Sequence, residues 1–342
     1  MKVLSSYNFG LGLIGVSLLA SSVQAGTDFG PATGCSVFVF GNMSGASDTW
    51  GTVAVGGNAD FSGGYSIDAA TASSGYALVV GGNFQESGSR INGNVFVGNT
   101  ATYFDPTIHG ALHAQTVNLQ GGGSVGQDVY YSDCYAGPSY IATHRVSGTP
   151  TSPIDFATAR ETLTNDANYW ASLSANGTAI TQCCTLNLDG DNSKLNIFDI
   201  SASKLAASHN LNVVVPQGST VLVNIAGNDA CISGGNSGFS AGNTLWNFYN
   251  ASSVTVNNTA LQGTLLAPYA NVNFEGGQVD GSIIANNLTE DCGAEIDPGE
   301  FNSLAVPQVV VPEPATLSLL GIGALTLGGL GLKRRRTTFT GF

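Results

Sequence analysis

The side chains able to do chemistry are few and scattered. Four histidines, His109, His113, His144 and His209, stand in no nucleophile motif, and there is no Gly-x-Ser-x-Gly. Glycoside hydrolysis needs two carboxylates held at one bond, and the acids form no repeated, cleft-like pair. Lyase chemistry wants a base beside the sugar acid. Only Arg90, Arg145, Arg160, Lys194 and Lys204 carry positive charge between residues 26 and 311. A polysaccharide-degrading enzyme is therefore only an alternative. One series does have spacing: Phe96, His113 and Tyr130 recur every 17 residues. Stacked in register, they would form a ligand-binding aromatic strip; the competing reading is surface covered by a helix, or plain ladder packing. Six cysteines, Cys35, Cys134, Cys183, Cys184, Cys231 and Cys292, are even in number and lie past the leader. In an oxidising compartment that suggests up to three disulfides, with fifteen pairings open. Without CxxC spacing no metal centre is expected, and no cofactor.

The element that must position the aromatic series is a repeat. Ile91–Val97, Ile108–Ala114 and Val125–Tyr131 follow one another in steps of 17. Leu261–Ala267 and Val279–Ala285 resume the pattern 18 residues apart. Fixed-period self-similarity marks stacked units, and alternating apolar residues mark strands. A single coil buries too little to offset the order it imposes, so coils must pair with neighbours. The expectation is a mostly β, right-handed parallel β-solenoid with Val95, Leu112 and Val129 one above another; an evenly spaced antiparallel sandwich is the competitor. Gly93, Gly110, Gly263 and Gly281 face inward, where a side chain has no room.

Val53–Asn58 returns as Leu78–Asn83 and, shortened, as Val95–Asn99, with an insertion expected near Asp68–Gly75. The Gly-Gly-Asn corners are read as turns using left-handed backbone. Residues 152–155 read as a helix start, with Ser152 as cap and Pro153 in the first turn. Phe156, Ala159, Leu163, Ala167, Trp170 and Leu173 then form an apolar stripe, ended by Asn176-Gly177. The stripe needs a partner on the outside of the solenoid. Leu266 and Ile284 compete for it with the aromatic series. Asp189–Ser193 reads as a polar turn, not a calcium loop, for it lacks the closing Glu.

The ends are not fold. Residues 1–25 read as a signal peptide with a Val23-Gln24-Ala25 cleavage site. Residues 315–332 are uncharged and about 27 Å long as a helix, enough to span a bilayer. Lys333-Arg334-Arg335-Arg336 follows, placing residues 26–311 outside. That body holds 5 basic and 22 acidic residues, a net charge of −17. Such a surface repels phosphate backbones, so nucleic-acid binding is excluded.

Pro312-Glu313-Pro314, the apolar run and the basic cluster resemble the PEP-CTERM sorting signal. That resemblance implies a Gram-negative, polymer-secreting bacterium, and an exosortase that removes the tail after a transient encounter at the membrane. Residues 35–305 resemble the choice-of-anchor A domain. The likeness lies in Val37–Asn42, Ser47-Asp48, Val53–Asn58, Asp155-Phe156-Ala157, Leu245–Phe248, Gly263–Pro268 and Gly299-Glu300-Phe301. It implies an ice-binding-like solenoid with one long helix alongside, an adhesive role and no catalytic residues. The expected protein has a signal peptide at 1–25, a solenoid domain at 26–311 and a sorting signal at 312–336. It lies at the cell surface or in the extracellular matrix, first anchored in the membrane by its C-terminal helix, and binds extracellular polysaccharide or a matrix protein. Ice binding is the other alternative; it needs a flat face of regular threonines, and Asn94, Ala111 and Asp128 vary too much.

Overall fold

A computed structural model describes residues 29–68, 75–142, 144–291, 293–299, 301, 306 and 307. The signal peptide, most of the expected insertion, Cys292 and residues 308–342 lie outside them. Twenty-four of the described strands form one continuous sheet wound into coils. Its strand pairings are parallel. The antiparallel pairing, Thr178–Gln182 with Thr185–Asp189, sits in a separate four-stranded sheet.

The stack is not in chain order. Cys35–Val39 lies in the middle, paired to Thr52–Val55 on one side and to Ile283–Glu290 on the other. From there coils add outward through Tyr76–Val80, Asn94–Val97, Leu112–Gln120 and Val129–Ala136 to Arg145–Ser147. Helix α1 (Phe156–Ala171) then runs alongside. The chain re-enters at the far end with Leu195–Ser201 and winds back through Thr220–Ala226, Thr244–Asn247 and Thr264–Gly281. One inner column joins both halves: Phe198, Val223, Trp246, Leu265, Ile283, Val37, Val53, Leu78, Val95, Leu112 and Val129. All eleven are fully buried, and side chains of this size contribute roughly 1.5–3 kcal/mol each. Val95, Leu112 and Val129 stack as the 17-residue period requires.

The corner glycines are there for a different reason than left-handed backbone. None of Gly56, Gly57, Gly81, Gly82 and Gly98 has positive φ. Instead, a Cβ at Gly81 would fall on the Gly56 carbonyl oxygen, and one at Gly98 on that of Gly81. Successive coils approach too closely for any side chain. The corners are tied by asparagines: each Oδ1 accepts the amide of the next rung, Asn42 from Asn58 and Asn58 from Asn83, both at 2.8 Å.

Asp155, not Ser152, caps α1: its Oδ1 accepts from the amides of Ala157 and Thr158 at 3.1 Å. Ala159, Leu163, Ala167 and Trp170 are buried as the stripe requires. The helix stops at Ala171, short of Asn176. The loop at 189–193 is a polar turn held by Asn192, whose Oδ1 accepts from the Lys194 amide at 2.9 Å.

Two expectations are corrected. The described cysteines, Cys35, Cys134, Cys183, Cys184 and Cys231, are all free thiols. The winding separates them. Cys35 lies in the central coil and Cys134 five rungs away, about 24 Å at 4.8 Å per rung. A disulfide needs Cα atoms within about 7 Å. Cys183 and Cys184 form an exposed hairpin turn, both at positive φ. The second correction concerns the membrane anchor. Among the described residues no helix is long and apolar enough to cross a membrane. Helix α1 has 16 residues and one buried stripe, and α2 (Ala202–Ala206) has five. The apolar run at 315–332 lies outside the described residues.

Candidate functional site

Next to the inner column, one residue along each strand, runs an outer one. In stack order it reads Asp199, Asn224, Asn247, Leu266, Ile284, Phe38, Ala54, Val79, Phe96, His113, Tyr130 and Val146. Helix α1 is about 24 Å long, equal to five rung steps. Its contacts span that distance. Asn224 donates to Trp170 O at 3.0 Å and Asn247 to Ala167 O at 2.9 Å. At the other end Phe156 lies 5.3 Å from Phe38, ring to ring. Leu266, Ile284 and Ala54 complete the buried seam. The helix therefore takes the Leu266–Ile284 site, and Phe96, His113 and Tyr130 lie beyond its end.

The structure brings all three together. Phe96 pairs with His113 and His113 with Tyr130. Phe96 is buried, only 2% exposed, while His113 and Tyr130 are half-buried. The His113 and Tyr130 rings stack at 4.4 Å and 5°, so their shared faces are occupied and their edges point outward. Tyr76 joins them, 5.8 Å edge-on from His113 and 6.3 Å from Phe96. Its membership was hidden in the sequence, because a bulge next to the insertion shifts it out of register: Asn94 pairs with Tyr76 but Val95 with Leu78. The Tyr130 hydroxyl donates to Asp128 Oδ2 at 3.2 Å, and that bond with a nearby anion raises its pKa. His144 Nδ1 lies 3.4 Å from Asp128 Oδ1. Burial lowers the pKa of His113, favouring the neutral ring. Stacked rings with edges outward, a phenol and a carboxylate can grip a ligand.

The strongest perturbations are inside the bore. Glu290 is 3% exposed, and the Tyr65 hydroxyl is its hydrogen-bonding neighbour. Burial pushes its pKa up to about 8, with the nearby charge of Asp48 adding to the effect. The Tyr65 hydroxyl beside it is shared with Thr49. Glu86 lies on the same inward ladder and accepts from the Ser89 amide; burial moves it up to about 7. No group of three or more His, Cys, Asp or Glu among the described residues is placed to hold a metal ion. Alternation at the end of Ile283–Glu290 buries Leu288 and Glu290 and exposes Thr289 between them, so the carboxyl turns inward.

A family model described as "Putative Ice-binding-like adhesive domain" matches residues 28–297. The chain belongs to this family. A PEP-CTERM protein-sorting motif matches residues 310–336, covering Pro312-Glu313-Pro314 and Lys333–Arg336. The protein is thus an exported, adhesin-like surface protein, and the adhesive family description accords with a non-enzymatic role. Three solved structures are similar. An ice-binding protein from the Antarctic ascomycete Antarctomyces psychrotrophicus is 13% identical, covering 80% of this chain and 98% of its own, with a TM-score of 0.40. One from an Antarctic biological consortium is 14% identical, covering 82% and 94%, with a TM-score of 0.27. One from an Antarctic Flavobacteriaceae bacterium is 12% identical, covering 77% and 80%, with a TM-score of 0.28. No curated protein matches the chain.

Proposed function

We propose that this is a choice-of-anchor A protein that attaches to extracellular polysaccharide or a matrix protein through the aromatic end of its outer column. Domain limits of 26–311 for the solenoid, 1–25 for the signal and 312–336 for the sorting segment go with this reading. The motif at 310–336 supports a transient encounter with an exosortase at the membrane. The observation that carries the reading is the helix's short reach: it leaves His113 and Tyr130 partly open on a rigid sheet, with Phe96 as their buried support. Rigid aromatic groups contribute contact area at little entropic cost. Free ring edges and the Tyr130 hydroxyl, not a flat ring face, meet the ligand. The test is an array of glycans and matrix proteins probed with the exported protein. Tyr130→Ala should lower affinity about tenfold or more, the loss typical of a central aromatic anchor. Unchanged binding across the array would remove this site.

A further inference from the structure

A second surface, on the next face of the solenoid, has its own construction. Two hollows of about 370 and 320 Å³ open there and share Asn58 and Asp60, so they form one trough along the stack. One bank is the corner asparagines Asn287, Asn42, Asn58 and Asn83. The other is Thr289, Ser44, Asp60, Gln85 and Thr102, one residue per rung. That second bank spans four rung steps, about 19 Å, and the banks lie two residues apart along each strand, about 7 Å.

The chemistry of the two banks differs. Each asparagine Oδ1 is committed to an amide of the next rung: Asn287 to Asn42 at 2.6 Å, Asn42 to Asn58, Asn58 to Asn83, and Asn83 to Thr100 at 3.3 Å. Asn83 Nδ2 donates to Asn58 Oδ1 at 3.1 Å and Asn287 Nδ2 to Asn271 Oδ1 at 2.7 Å, while among the described residues the Nδ2 groups of Asn42 and Asn58 make no hydrogen bond, so the middle of that bank presents donors. The opposite bank presents hydroxyls, the Gln85 amide and the Asp60 carboxylate, of which Oδ1 takes the Ser62 amide at 3.0 Å. We propose that this trough binds an extended, uncharged polysaccharide chain lying along the stack axis.

Three features select that occupant. The trough is narrow, long and repeats at every rung, so it fits one linear polymer with a short repeat and not a planar surface. Both banks offer groups that match vicinal hydroxyls, which donate and accept together. Asp60 sits mid-trough in a body of net charge −17, so uronate or phosphate polymers are repelled. An extended peptide is disfavoured for a separate reason. Peptides join sheets through free backbone edges, and the strands under the trough are paired on both sides.

The site is independent of the aromatic strip, and variants on the two faces separate them. The exported protein is run through gels containing hydroxyethylcellulose, galactomannan or dextran, and in parallel alginate or a Gly/Ser-rich peptide polymer. At least one neutral polymer should retard it. Gln85→Arg with Thr102→Arg, which fill the trough, should weaken that retardation about tenfold or more, in a Tyr130→Ala background as in the parent, while Ile180→Ala, an exposed change on the separate four-stranded sheet, leaves it unchanged. If the arginine pair does not fold, Gln85→Ala with Thr102→Ala, two truncations of side chains that are not buried, should weaken it in the same direction. The proposal is overturned if no neutral polymer retards the protein or if the folded trough variants bind as the parent does. Retention by alginate or the peptide polymer alone overturns the ligand class.

Discussion

Glu290→Gln is the sharpest probe of the interior. The Glu290 carboxyl is fully enclosed at the seam where Ile283–Glu290 meets Met43–Gly45. Its pKa moves from 4.5 to about 8, chiefly by burial. Between those values the native state keeps a proton that the unfolded chain has released, so stability falls as pH rises. Each pH unit is worth about 1.4 kcal/mol per proton, so the full window amounts to a loss on the order of 5 kcal/mol. Below pH 4.5 both states are protonated and the penalty vanishes; above about 8 it is complete. Glu86, raised to about 7, acts with the same sign. Glutamine keeps the shape and cannot ionise. Denaturant unfolding at pH 5, 6.5 and 8 should therefore show the variant gaining on the parent at each step, by several kcal/mol at pH 8. Melting should shift by roughly 2–4 °C per kcal/mol. Parallel pH curves for the two proteins would refute the reasoning, because they would mean that Glu290 ionises as freely folded as unfolded.

Gly98→Ala should destabilise the fold by about 1–3 kcal/mol or more, since the new Cβ meets the Gly81 carbonyl, a backbone atom that cannot move alone; a melt with no shift would contradict the close-approach account of the corners. Trp170→Phe removes the hydrogen bond from Nε1 to Pro307 O at 2.7 Å while keeping the aromatic packing against Phe29. It should cost about 1 kcal/mol of stability, read as a lower melting temperature, and an unchanged melt would show that this bond contributes nothing to the fold.

The repeat was legible because the inner column demands it: Val95, Leu112 and Val129 must each meet the next rung, and that need writes a period of 17 into the sequence. The helix was legible from its stripe for the same reason. The winding order was not. Pairing of Val37 with Ile283 joins residues far apart in the chain, and no local pattern records which coil a terminal strand will find. The corner glycines illustrate a second limit. A glycine required by left-handed backbone and one required by a crowding carbonyl look alike in sequence. The cysteines show a third: an even count suggests pairing, but pairing depends on distances that the split winding sets. Of the aromatic cluster, the three ladder members followed from the period, and Tyr76 escaped it through a bulge.

What fixes the position of the open aromatic strip lies in the other half of the molecule. The outer column is apolar or aromatic from Leu266 to Tyr130, so burial alone would let α1 slide along it. Two amides forbid that. Asn247 Nδ2 donates to Ala167 O and to Asn224 Oδ1, both at 2.9 Å, and Asn224 Nδ2 donates to Trp170 O. They bond carbonyls in the last two turns of the helix, and Trp170 O is among the last four, where intrahelical partners run out. Both asparagines are almost fully buried; moving the helix by one rung would strand them at about 1–3 kcal/mol each. With its C-terminus pinned there and 16 residues to spend, α1 ends at Phe38 and Ala54. Exposure at His113 and Tyr130 thus follows from two hydrogen-bonding side chains seven to nine rungs away, and not from anything in the strip itself.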